Sequence, residues 1–192
     1  MAVKTKAQLM ELFIHNSGYM RDFIDTIVAP PLKTEAGAGI TDGSGVVYRS
    51  SISRAGNIIT TQIFVDLQGL SSATSLVDII GIGANPAHLG RITAAENGTL
   101  ISGIVTCLEL PASLTDVDFY SAVEGTGVFE ANESTLTATE LLAKGGAWAA
   151  GDATILTALP AANEYLYMMN GAADTADPFT AGKFLIEFIG YD

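Results

Sequence analysis

Few residues of this chain carry reactive chemistry, and their spacing argues against a catalytic use. The 192 residues include two histidines, His15 and His88, so any Ser-His-Asp relay would have to use one of them. The nearest string to a nucleophile elbow, Gly43-Ser44-Gly45, lacks both its spacing and its strand-to-helix turn. Gly81-Ile82-Gly83 starts like a dinucleotide fingerprint, but Asn85 and Pro86 stand where a helix must begin to aim its N-terminus at a phosphate. These glycines read as turns. Asp116 and Asp118 alternate, so on a strand they would share one face with Glu124 near, and Asp174 and Asp177 share the loop before Phe179. Neither group has the six-ligand pattern with a central glycine of a calcium loop. Surface solvation is the expectation, with no metal and no cofactor. Cys107 lies in the apolar run Ile104 to Leu108 with no basic neighbour to activate it, and reads as a small buried hydrophobe.

The elements that would position these groups fall into two kinds. At the N-terminus, Thr5 and Gln8 form a capping box, and Leu9, Leu12 and Phe13 make an apolar stripe. His15 to Gly18 break that helix. Met20, Phe23, Ile24, Ile27 and Val28 then repeat at i, i+3, i+4, i+7, i+8, with Arg21, Asp22 and Asp25 on the other face, until Pro30 and Pro31 stop the second helix. Helices of about ten residues are unstable alone in water, so these stripes must pack on the body or on a neighbouring chain. Residues 1–31 are therefore expected to be a helical arm whose contact residues are these eight apolar side chains. Residues 32–45, rich in glycine and small polar residues, read as a flexible linker.

From residue 46 to 192 the period changes to that of strands. Val46–Ser53 and Ile58–Leu67 read as a hairpin across Gly56 and Asn57. Further candidates are Leu76–Ile82, Leu89–Ala94, Leu100–Leu110, Val117–Val123, Ala153–Leu159, Tyr165–Met169 and Lys183–Tyr191. Thr137–Lys144 is ambiguous between strand and helical turn. Short strands with turns between them, and no long helix, predict a mainly β protein: an antiparallel β-sandwich, jelly-roll-like, carrying a short N-terminal helical arm.

Charge follows the same division. Residues 1–54 carry a net +1 and residues 55–192 a net −13, giving the total of −12. A body this acidic would repel nucleic acid and anionic membranes, so neither is an expected partner. Hydrophobic residues make up 48% and charged residues 16%. No apolar run of about 18 residues is present, so a transmembrane span is not expected, and MAVKTKAQ lacks the apolar segment of a secretory signal. The surplus apolar content points to surface buried against other subunits.

The string TKAQLMELFIHNSGYMRDFIDTIV resembles the N-terminal segment of tailed-bacteriophage virion structural proteins, through Lys6, Ala7, Gln8, Leu9, Arg21, Asp22, Phe23, Asp25 and Ile27. The closing stretch YLYMMNGAADTADPFTAGKFLIEFIGYD looks like structural proteins of marine phages. The resemblance implies a virion component. Together with the physical reading it leads to the expectation of a non-enzymatic head decoration or cement protein, a homotrimer, docked by its arm on the major capsid protein or another virion protein. The alternative is a tail-fibre or receptor-binding module, with a carbohydrate groove lined by Trp148, Tyr165, Tyr167, Phe179 and Tyr191.

Overall fold

The computed structural model describes residues 33–192. The expected arm, with Leu9, Leu12, Phe13, Met20, Phe23, Ile24, Ile27 and Val28, lies outside the described residues.

Two antiparallel sheets make up the described chain. Their strands are β1 (Tyr48–Ala55), β2 (Ile58–Asp66), β3 (Gly90–Arg91), β4 (Thr99–Ala112), β5 (Val117–Ala122), β6 (Ala138–Leu142), β7 (Ala153–Ile155), β8 (Tyr165–Asn170) and β9 (Ala181–Tyr191). One sheet runs β1-β2-β9-β4-β7 and the other β3-β8-β5-β6. Within this order the pairs β2 with β9, β3 with β8, β4 with β7 and β5 with β6 are nested, each enclosing the next along the chain and alternating between the sheets. The hairpin β1–β2 adds β1 outside this nest.

Alternation dictates which side chains meet between the sheets. Ile59, Ile63 and Val65 of β2, Val105 and Cys107 of β4, and Phe184, Ile186 and Phe188 of β9 point inward and are buried. All of these except Ile59 meet Phe119, Leu166 and Met168 in one core. Three rings clasp the sheets. Phe119 of β5 and Phe184 of β9 are edge to face at 5.4 Å, and Trp148, from the loop before β7, lies 5.2 Å from Phe184 and 6.3 Å from Phe119. The Trp148 indole N–H donates to the Val117 carbonyl at 2.8 Å, which satisfies its polar edge inside the core.

The structure corrects several expectations. Within the expected linker, residues 36–40 pack against the body: Ile40 is fully buried on the single helical turn α1 (Ala38–Thr41), and the Gly37 and Gly39 amides donate to the carbonyls of His88 and Pro86. The physical reason is close backbone approach, since a Cβ on Gly37 would stand 2.1 Å from the Pro86 carbonyl oxygen. Leu76–Ile82 forms no strand. It makes isolated bridges, Asp78 to Asn132 and Ile79 to Met169, and hydrogen-bonds the β8 backbone at Met168 and Asn170, so it runs beside that strand without forming a continuous ladder. Leu89–Ala94 shrinks to β3, because Thr93 caps the one-turn helix α2 (Ala94–Asn97) by accepting from the Glu96 amide. The ambiguous Thr137–Lys144 contains β6.

Trp148→Ala is expected to lower the unfolding free energy by about 3–5 kcal/mol and Trp148→Phe by less, measured by urea unfolding of the full chain. Gly37→Ala should accelerate cleavage within residues 33–45 in limited proteolysis, whereas a flexible segment would be cut as fast in the wild type.

Candidate functional site

Among the described residues the chemically capable side chains do not converge on one place. Asp118, on β5, is buried and its carboxylate accepts the Lys144 amide at 2.7 Å. Burial pushes its pKa up to about 6, against that hydrogen bond and with help from Asp116 and Glu140. Asp116 lies one residue before β5 with a buried carboxylate oxygen that has no partner. Glu124 is occupied elsewhere, accepting both the amide and the hydroxyl of Thr137, and these bonds hold its pKa below the usual range. Asp174 and Asp177 are exposed, and the Asp177 backbone is tied to the buried Ser72 hydroxyl. Among the described residues no three His, Cys, Asp or Glu side chains stand close enough to hold a metal ion.

His88 packs against the Tyr165 ring at 4.8 Å, and burial lowers its pKa. Cys107 is fully buried, and burial raises its thiol pKa first, with Asp152 adding to it. Of the two glycines Gly83, with φ of 61°, lies in a turn, whereas Gly81 sits in an antiparallel bridge with Ser71 and not in a turn. Of the five aromatics that would line a sugar groove, Trp148, Tyr167 and Phe179 are sealed in the core. The Tyr167 hydroxyl donates to the Glu124 carbonyl and accepts the Gly127 amide, and burial pushes its pKa up to about 12. Tyr165 is half-buried under the Arg91 guanidinium, and Tyr191 is exposed.

What the strands do bring together is an outward apolar surface that the linear sequence did not single out. Phe64 of β2, Leu185 of β9 and Thr106 of β4 are successive register partners, as are Glu187 of β9, Ile104 of β4 and Ile155 of β7. All point away from the core on the five-stranded sheet. Ile155 is 69% exposed and Ile189 is 40% exposed. A signal was present in β9, where Leu185, Ile189 and Tyr191 are apolar at the solvent-facing parity, so both faces of that strand are hydrophobic.

Comparison with family models, with curated proteins and with solved structures finds no match.

The buried acid sets a pH dependence. Because the Asp118 pKa in the fold lies above its ordinary 3.8, its contribution is complete below that value and is lost as pH rises through about 6. His88, with a lowered pKa, acts in the opposite direction, destabilising the fold as pH falls below 6.5. Asp118→Asn keeps the acceptor for the Lys144 amide, so it should stabilise the protein by about 1–3 kcal/mol at pH 8 and leave it unchanged at pH 4, read from thermal midpoints across pH.

Proposed function

We propose that this chain is a non-enzymatic virion structural protein of the tailed-bacteriophage kind, a capsid decoration or cement protein that docks through residues 1–31 and assembles as a homo-oligomer. The observation that carries this reading is the nested strand pairing. Eight strands ordered β2-β9-β4-β7 and β3-β8-β5-β6 support reading the body as jelly-roll-like, with β1 as an added edge strand. That architecture recurs in viral capsid domains, lectins and cupins.

The side chains favour the first of these uses. A cupin-type centre needs several convergent ligands, whereas His88 is engaged with Tyr165. A lectin-type groove needs aromatic faces open to a sugar, whereas Trp148, Tyr167 and Phe179 are buried. A scaffold protein needs a stable body and surfaces to spare. The aromatic clasp supplies the first and the outer sheet face the second. Fold alone does not specify function, so the reading as a virion component leans on the resemblance of the N-terminal segment to phage virion proteins.

Purified virions of the phage encoding this chain should contain it in hundreds of copies on the head lattice, seen by immunogold labelling and cryo-imaging. A few copies at one vertex would assign it to the tail, and its absence from virions would overturn the reading. The double variant Phe23→Lys/Ile27→Lys should reduce occupancy on capsids by at least tenfold without changing the thermal midpoint. Full occupancy by that variant would rule out docking through the arm.

A further inference from the structure

We infer that a second copy of this chain covers the outer face of the five-stranded sheet. The inference rests on the reading that copies self-associate, and it is independent of whether they sit on a capsid.

The two sheets are finished differently. In the four-stranded sheet every residue of β5, and every residue of β8 after Tyr165, is buried, so both faces are covered, and the Tyr167 hydroxyl is tied to Glu124 and Gly127 of the segment that follows β5. Its outer side is thereby covered by the chain itself. Among the described residues the outer side of the five-stranded sheet has no such cover: Ile58, Ile155, Ile189 and Tyr191 are each at least 40% exposed on it. Five strands at about 4.8 Å spacing, with the longer ones running about 30 Å, give a face of roughly 700 Å². That is close to the ~800 Å² each partner buries in a stable protein interface.

Charge selects the occupant. Copies of a chain with a net charge of −12 repel one another except where charge is already compensated. On this face it is nearly compensated: Lys183 pairs with Glu109 and Asp66, and Arg49, the register partner of Phe64, adds a positive charge against Glu187, which accepts from Gln62 at 2.8 Å. Arg54 pairs with Asp192 at its border. The acids that carry the excess, among them Glu130, Glu140, Asp174 and Asp177, are exposed on loops and on β6, outside this face. A strongly basic partner would be drawn to those acids, whereas a second polyanionic copy is tolerated best at the nearly neutral apolar face. The sheet edges offer less. Arg49 and Arg54 interrupt β1, and β7 is three residues long, so pairing by strand addition is blocked at one edge and short at the other. Face-to-face packing remains.

Sedimentation velocity of the full chain from 1 to 100 µM tests this. The wild type should assemble, and Ile155→Lys and Ile189→Lys should each raise the dissociation constant at least tenfold. Both side chains are exposed, so their thermal midpoints at low concentration should match the wild type. Val123→Lys, outside the face on a residue that is 56% exposed, should assemble normally. A wild type that stays monomeric at 100 µM would overturn the inference. So would face variants that assemble like the wild type, including the case in which only Phe23→Lys/Ile27→Lys dissociates the oligomer. Absence from virions combined with face-dependent assembly would overturn the capsid reading and leave this one standing.

Discussion

Contact between the two sheets at the Phe119, Trp148 and Phe184 rings is the interaction on which the remaining structure depends. Each sheet is amphipathic in part, and neither can bury its inner face alone. The rings couple three regions far apart in sequence: β5, β9 and the loop before β7. Trp148 adds a polar fastening through Val117, so it fixes the direction of its loop as well as filling volume. Lys144 lies over the same indole and also reaches Asp152, which places a surface ion pair directly on the core aromatic. Once this contact is made, the nested strand pairs are confined to one register.

Polar groups inside this framework are mostly spent on holding loops. Asn170 is fully buried and both bonds and is bonded by the Ala73 backbone, Asn97 bonds the Thr93 amide and the Thr61 hydroxyl, and Ser72 gathers the backbone at Thr175 and Asp177. Such fully satisfied amides specify a loop path better than apolar packing does, because any other path leaves a buried donor unpaired. Three groups are exceptions: Asp116 and His88 each keep a buried polar atom with no hydrogen-bond partner among the described residues, and Asp118 receives one backbone donor while buried near other carboxylates, a strain the fold carries at neutral pH.

Much of the sheet content was legible from the sequence because β2, β4, β5, β8 and β9 have strong apolar periodicity and sharp turn signals at their ends. The segment from Leu76 to Ile82 misled for a physical reason: Ile79 and Ile80 are buried and its backbone hydrogen-bonds β8, but only at isolated bridges, so a strand-like composition comes without a continuous ladder. Residues 33–45 misled in the opposite direction. Glycine there permits close packing against Pro86 and Asn85, whereas composition alone suggests freedom. The alternation of Asp116 and Asp118 was visible, but burial of only one of them depends on Lys144 and the loop beyond β6. The outer apolar face was the least legible feature, since Phe64, Ile104, Ile155 and Leu185 become neighbours only through strand order and register. Sequence patterns specify which side of a strand is apolar, and they do not specify which strands lie side by side.

The position of β9 has a consequence for how the molecule is made. It lies between β2 and β4 and hydrogen-bonds both, although some seventy residues or more separate it from either. A ribosome adding about 5–20 residues per second delivers β2 and β4 several seconds before the strand that joins them. During that interval their facing edges are unpaired and apolar, the condition in which nascent strands recruit wrong partners. The five-stranded sheet therefore closes only when its last strand leaves the exit tunnel. Until then, protection of the growing chain rests with chaperones or with slow collapse of the first hairpin.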